Sequence, residues 1–166
     1  MNRIVVSDTT AITHLAKIDA LNILHKLYTE ILIPKAVFDE LSQVKRKQPG
    51  ALSVMNSTWI KVVEVKNRTI VDKLTRRLDL GESEAIALSV ELQSDVLIID
   101  EVAGRDVARK LGRNIIGMVG VLLEAKKQGH IQSVKPYLDK LRNTGFRMSA
   151  ELYQMALKAS QEAQVG

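Results

Sequence analysis

Cysteine is absent from the 166 residues, which excludes disulfides and thiolate metal sites. Aromatic residues make up only 4% of the chain, too few for base stacking to dominate nucleic-acid recognition. No apolar run approaches the ~18 residues of a membrane span. The opening MNRIVVSD reads as a strand and lacks the apolar core of a signal peptide. A cytoplasmic protein with no membrane association is the expectation. The glycines form neither a GxGxxG nor a P-loop pattern. His14, His25 and His130 have no mutual spacing that suits a metal site or a catalytic triad. Internal repeats and low-complexity tracts are missing as well.

What is present is ordinary for a globular protein: 46% apolar and 26% charged residues. The length favours one domain over 1–166, with a sheet-and-helix core over 1–116 and a helical carboxyl-terminal extension over 117–166. A net charge of +5 and a pI of about 9.5 permit a nucleic-acid partner without demanding one.

Along the chain the apolar period alternates. Val96-Leu97-Ile98-Ile99 is a continuous apolar run, the pattern of a strand buried on both faces in a parallel sheet. Ile4-Val5-Val6 is a shorter run of the same kind. Ile31-Leu32-Ile33, stopped by Pro34, and Ile115-Ile116 read as further strands, and Trp59 to Val63 as one near an edge. Helical segments lie between them. Ala11 to Ala16 follows a cap at Thr9 or Thr10. Asp19 is placed to cap a second helix striped by Leu21, Ile23, Leu24 and Leu27. After Pro34 a third carries Val37, Leu41 and Val44, and ends on Lys45-Arg46-Lys47 before Pro49-Gly50. Thr69 to Leu78 is helical, Leu80-Gly81 reads as punctuation, and Gly81 to Leu92 and Val102 to Leu111 follow. Beyond Gly117 come three helices without a strand: Val119 to Lys127, Val134 to Leu141 and Ala150 to Ala159, separated by Gly129 and Gly145. The alternation predicts an α/β three-layer sandwich with a central, mostly parallel sheet, plus carboxyl-terminal helices.

In open α/β sheets, sites form beyond the carboxyl ends of the strands. Two of the apolar runs deliver an acid there: Asp8 after the first, and Asp100, followed by Glu101, after Val96–Ile99. Glu40 sits among apolar helix neighbours, where a buried carboxylate needs a partner. Glu82 opens a helix, with Ala85, Ile86 and Ser89 on its face, and Glu84 points about 200° further round. Carboxylates gathered together repel unless a cation neutralises them, and an all-oxygen cluster suits Mg²⁺ or Mn²⁺. Such a metal activates water and stabilises charge on a phosphodiester. Each acid also has a plainer reading. Asp8 could only cap a helix, Glu82 could only complement a helix dipole, and Glu40 could lie on a solvated face beside Asp39. Glu101 and Asp106 read as helix-start and surface charges. The joint order of the acids carries the functional reading.

Taken in order, SDTT at Ser7–Thr10, Glu40 in AVFDEL, GESEAIALS at Gly81–Ser89 and LIIDEVAGRDVA at Leu97–Ala108 resemble a PIN domain. The resemblance covers roughly the whole chain. It is closest to the PIN-like branch with a helical carboxyl-terminal extension, whose pattern resembles GMVGVLLEAKKQGHI at Gly117–Ile131. It implies a nuclease dependent on Mg²⁺ or Mn²⁺; many PIN domains are VapC-type toxins of bacterial and archaeal toxin–antitoxin pairs and cut RNA. By position it implies Asp8, Glu40 and Asp100 as the first, second and fourth acids. The third is Glu82 by ungapped spacing back from Asp100, or Glu84 by a small shift. The implied catalytic set is Asp8, Glu40, Glu82 and Asp100, with metal ligands among Asp8, Asp100, Glu82 and Glu84. Thr9 or Thr10 is the hydroxyl residue after the first acid. Thr10, Arg105 and Arg109 are the implied substrate contacts, the two arginines sharing one helix face. The chain departs from the pattern in having Glu where many PIN nucleases have Asp at the third acid, and in placing Glu101 directly after Asp100.

An RNA substrate, a cognate antitoxin and a homodimer are the partners this implies. The dimer has a second argument: helices Ala11–Ala16 and Leu21–Leu27, with the tail, hold more apolar residues than one sheet face can cover. Lys45-Arg46-Lys47 and Arg76-Arg77 would extend an RNA contact or lie on plain solvated surface. Two other classes compete. One is a catalytically idle PIN-like module that binds nucleic acid or a partner protein. The other is a phosphotransfer domain of haloacid-dehalogenase type, which wants a second Asp two residues after the first, where Thr10 stands.

Overall fold

Alternate residues of the apolar runs enter two different cores. Val5, Ile31, Ile33, Val96 and Ile98 join one, while Val6, Leu32, Leu97 and Ile99 join the other. That is the period-two geometry of strands covered on both faces. In the computed structural model, which describes residues 3–44 and 56–163, the strands are β1 (Val5–Ser7), β2 (Ile31–Pro34), β3 (Ile60–Val63), β4 (Val96–Ile98) and β5 (Ile115–Ile116). They form one five-stranded sheet in the order β3-β2-β1-β4-β5, with every neighbouring pair parallel. The Trp59–Val63 segment supplies the edge strand β3, as expected.

β1 is the turning point of this sheet. The chain builds outward from it through β2 and β3, then returns to its other side with β4 and β5. Ser7 pairs with Ile98, and the Asp8 N–H donates to the Ile98 carbonyl at 3.0 Å. Residues 8 and 100 therefore leave adjacent strands at one edge, where doubly wound sheets open a crevice.

The helices are α1 (Thr9–Lys17), α2 (Asn22–Tyr28), α3 (Lys35–Val44), α4 (Arg68–Leu74), α5 (Leu80–Leu92), α6 (Val102–Lys110), α7 (Met118–Lys127), α8 (Lys135–Arg142) and α9 (Ala150–Ala159). Residues of α4, α5 and α6 cover one sheet face, and α1, α2, α7, α8 and α9 pack on the other. No helix among the described residues is long and apolar enough to cross a membrane. Lys45-Arg46-Lys47, Pro49-Gly50 and the side chain of Val44 lie outside the described residues.

Four local expectations are corrected. Neither Thr9 nor Thr10 caps α1: both lie in its first turn, and Asp8 holds the cap position. Asp19 does not cap α2: it takes a left-handed turn at φ 56°, and Leu21 holds the cap position. Leu80-Gly81 does not separate two helices. α4 already ends at Leu74, and the Asp79 carboxylate accepts the Glu82 N–H at 2.8 Å, so Leu80 and Gly81 form the first turn of α5. Asp79-x-x-Glu82 has the spacing of a capping box. Finally, Ile12, Leu15, Ile23 and Leu24 are buried in one core with Leu122, Leu138 and Tyr153 of α7, α8 and α9. The apolar surplus of these helices is covered within one chain, which removes that argument for a homodimer.

Glu162 ties the extension together. Its carboxylate accepts N–H groups from Val134 (2.8 Å) and Lys135 (3.1 Å) at the start of α8, and an ion pair from Lys126 of α7 at 3.0 Å. Burial raises its pKa, but these bonds outweigh burial and hold it at about 2. Its contribution is complete above the ordinary glutamate range and is lost as pH falls toward 2. Glu162→Ala leaves these donors unpaired, a loss of about 1–3 kcal/mol. Thermal melts at pH 7 should show a Tm lower by several degrees. The gap to wild type should close in acid, and an unchanged Tm at pH 7 would contradict the bridging role.

Candidate functional site

Asp8 stands at the cap position of α1, yet its side chain makes no capping hydrogen bond. Capping therefore does not explain a carboxylate that is only 4% exposed. β1 and β4 fix its backbone, and the next residue begins the acid network: Thr9 Oγ1 donates to Glu40 Oε2 at 2.7 Å. Glu40 of α3 also accepts the Gly81 N–H from the first turn of α5. Glu82, one residue on, is 8% exposed. Asp100 Oδ1 accepts the Met118 N–H at 2.9 Å, while Oδ2 is buried with no hydrogen-bond partner among the described residues. Arg105 Nη1 donates to the Ile99 carbonyl at 3.1 Å, which holds the guanidinium near Asp100.

Three glycines make room for these side chains. A Cβ on Gly81 would collide with Glu40 Oε1. One on Gly104 would lie 2.8 Å from Glu82 Oε2, and one on Gly117 would lie 2.6 Å from Arg105 Nη1 and 2.9 Å from Asp100 Oδ1. Contacts that short do not persist, so any larger residue displaces the carboxylate it meets.

Electrostatics bind the acids into one group. Burial, partly offset by the Thr9 N–H and reinforced by the charges of Asp79, Glu40 and Asp100, pushes Asp8 up to about 7. Burial, then the carboxylate of Asp79 and the charges of Asp8 and Glu101, pushes Glu82 up to about 8. Glu40 is raised by burial against the opposing Thr9 hydroxyl, and Asp100 by burial against the Met118 N–H and Arg105. Asp79 belongs to this group and was missed in the sequence; its capping-box spacing to Glu82 was the available signal. Among the described residues no three acid or histidine side chains are grouped as a ready-made metal cage. Glu40 and Glu82 would have to turn from their present partners to complete one. The donor set is nonetheless all carboxylate oxygen, and the partnerless Asp100 Oδ2 offers a lone pair, a combination that fits a hard divalent cation.

The remaining candidates divide. Glu84 is buried but committed elsewhere: Oε1 accepts the Ala36 N–H at 2.9 Å, and Oε2 pairs with Arg68 at 2.7 Å. It anchors the start of α3, and Glu82 is the one that joins the acid group. Thr10 and Arg105 line a cleft of about 770 Å³ together with Asp100 and Glu101. Arg109 is outside that lining and pairs with Asp106 at 3.5 Å on the exposed side of α6. Phe146 and Arg147 also line the cleft, and neither was singled out in the sequence.

The raised values have a consequence for stability. An acid that holds its proton more tightly when folded stabilises the fold while protonated. That contribution is lost as pH rises from the unfolded value to the folded one. For Asp8 and Glu82 the window runs from the ordinary carboxylate range to about 7 and about 8. In EDTA the Tm should fall between pH 5 and pH 8.5. Asp8→Asn should flatten that fall and raise the Tm at the alkaline end, because it removes one charge from the group. A wild-type Tm that rises over this range would contradict the clustering.

The chain matches a family model described as a PIN domain, DUF3368, over residues 4–162. No curated protein matches it. PIN domains are generally nucleases and typically use divalent metals. With the match spanning nearly the whole chain and the all-parallel five-stranded sheet in place, the chain belongs to the PIN-domain family.

Proposed function

We propose that this protein is a metal-dependent nuclease of PIN type, an endoribonuclease that serves as the toxin of a toxin–antitoxin pair in the cytoplasm. The observation that carries the reading is the buried, partnerless Asp100 Oδ2 within a group of acids whose proton affinities are raised. Such a group is unfavourable to maintain unless positive charge joins it. Mg²⁺ or Mn²⁺ held by Asp8, Asp100 and Glu82 would supply that charge and polarise both water and a phosphodiester.

The chain's own residues have separate tasks. Glu82, pushed up to about 8 without metal, would exchange its proton for the cation and hold it with Asp8 and Asp100. Glu40 is held by Thr9 and the start of α5 beside it. Arg105 spends one N–H on Ile99 and keeps others for phosphate oxygens. Thr10, in the cleft wall, offers a hydroxyl to the same backbone. Glu84 and Arg109 have no part in this scheme.

A homodimer and an antitoxin partner rest on the family resemblance. The apolar surface available to them includes the exposed Val102 and Met155 of the cleft. Sedimentation as a monomer at high micromolar concentration would remove the dimer. One observation favours a second reading, a PIN-like module that binds without cutting: among the described residues the acids are not grouped as a finished cage.

The separating experiment is cleavage of RNA by purified protein with Mn²⁺. Asp100→Asn keeps the side-chain volume and removes the charge, so it should abolish cleavage, a loss of at least about 100-fold, with the fold intact by circular dichroism. If Asp100→Asn cuts as fast as wild type, the site lies elsewhere. RNA binding without cleavage in either metal would establish the idle module.

A further inference from the structure

The acid chemistry leaves one wall of the cleft unused. Residues 143–149, between α8 and α9, fold back onto α1 at that wall. His14 Nδ1 and Thr144 Oγ1 lie 2.8 Å apart, and Lys17 Nζ donates to the Thr144 carbonyl at 3.3 Å. Thr144 Oγ1 also donates to Leu141 O at 2.8 Å, so its hydroxyl proton is spent there and His14 Nδ1 is the donor to it. These bonds pin a turn that carries Phe146 and Arg147 into the cleft that Asp100 and Arg105 also line.

Phe146 is half-buried, and its ring meets that of His14 at 5.4 Å and 66°, an edge contact. In an edge-to-face pair only one ring lends a face, so one of the two keeps both faces clear of the other. His25 and Trp59, by contrast, lie 22° apart at 4.9 Å and cover each other. Arg147 is exposed and enters no ion pair among the described residues. Phe146 packs in part against the core and also lines the cleft; an aromatic ring in a cleft wall, flanked by a guanidinium outside those ion pairs, is the combination that holds an unpaired base and its phosphate. The cleft volume, about 770 Å³, falls in the range that accepts ligands of nucleotide size, ~300–1,000 Å³.

We propose that Phe146, with His14 beside it, stacks one unpaired nucleobase of single-stranded RNA, and that Arg147 holds an adjoining phosphate of the strand presented to Asp100. This rests on the nuclease reading and gives that site its substrate class. A duplex has no free base face to offer, so the subsite selects single strands, loops or ends. The low aromatic content of the chain is no obstacle, since one subsite needs only one platform.

The test measures binding, by fluorescence anisotropy with Ca²⁺ in place of Mg²⁺, of two labelled oligoribonucleotides. One carries all its bases and the other has a run of abasic positions on the same backbone. Wild type should bind the first about tenfold more tightly. Phe146→Leu keeps an apolar side chain against the core and should erase that preference, and Phe146→Trp should retain it. Arg147→Ala should weaken both oligonucleotides alike and lower the salt slope by about one phosphate contact. A Phe146→Leu variant with matching Tm and an undiminished preference overturns the subsite, as does a wild type that binds both oligonucleotides equally; either leaves the nuclease reading standing. A wild type that binds neither, in Ca²⁺ or Mn²⁺, overturns both.

Discussion

Burying several carboxylates side by side is unfavourable twice, once for leaving water and again for mutual repulsion. Asp8 and Asp100 meet that condition because β1 and β4 are neighbours in the sheet although they lie far apart in the chain. Much of the surrounding structure serves to hold the charges in place. The start of α1 brings a hydroxyl to Glu40, and the start of α5 brings Asp79, the Gly81 N–H and Glu82 to the same edge. The start of α7 donates an N–H to Asp100. Helix amino termini are the positive ends of their dipoles, and three of them face the acid group. They offset the repulsion in part: Asp8 and Glu82 remain raised to about 7 and about 8. The residual imbalance is what the proposed cation would relieve.

Space is the second constraint, and glycine supplies it. Gly81, Gly104 and Gly117 each lie against a side chain of the acid group. The same demand places Gly81 inside the first turn of α5, where helix propensity alone would disfavour it.

How legible all this was in the sequence depended on whether the relevant contact is local. The Val96–Ile99 run and the acid after it could be read because a strand buried on both faces leaves an unbroken apolar signature. The choice between Glu82 and Glu84 stayed open in the sequence: two residues along a helix turn a side chain to another side, but only the fold shows which side meets Asp8 and which meets Arg68. Arg68, which occupies Glu84, was not foreseeable. Asp79 was missed because Gly81 was read as a stop, when it is there to clear Glu40, a residue on a different helix. The dimer argument failed for the same kind of reason: α1 and α2 are covered by helices far along the chain, as the His14–Thr144 bond, 130 positions apart, illustrates. Phe146 and Arg147 carry no local pattern at all, and only the folded cleft sets them beside Asp100.

The central claim is that burial first, and acid neighbours second, make Asp8 and Glu82 hold their protons to unusually high pH, and that a divalent ion would relieve this. Carboxyl ¹³C NMR titration of aspartate- and glutamate-labelled protein, with and without Mg²⁺, measures it directly. The account predicts midpoints near 7 and 8 for Asp8 and Glu82 in EDTA. With Mg²⁺ both should move down, into or below the ordinary carboxylate range. Midpoints near 4 for both in EDTA, unmoved by Mg²⁺, would contradict it.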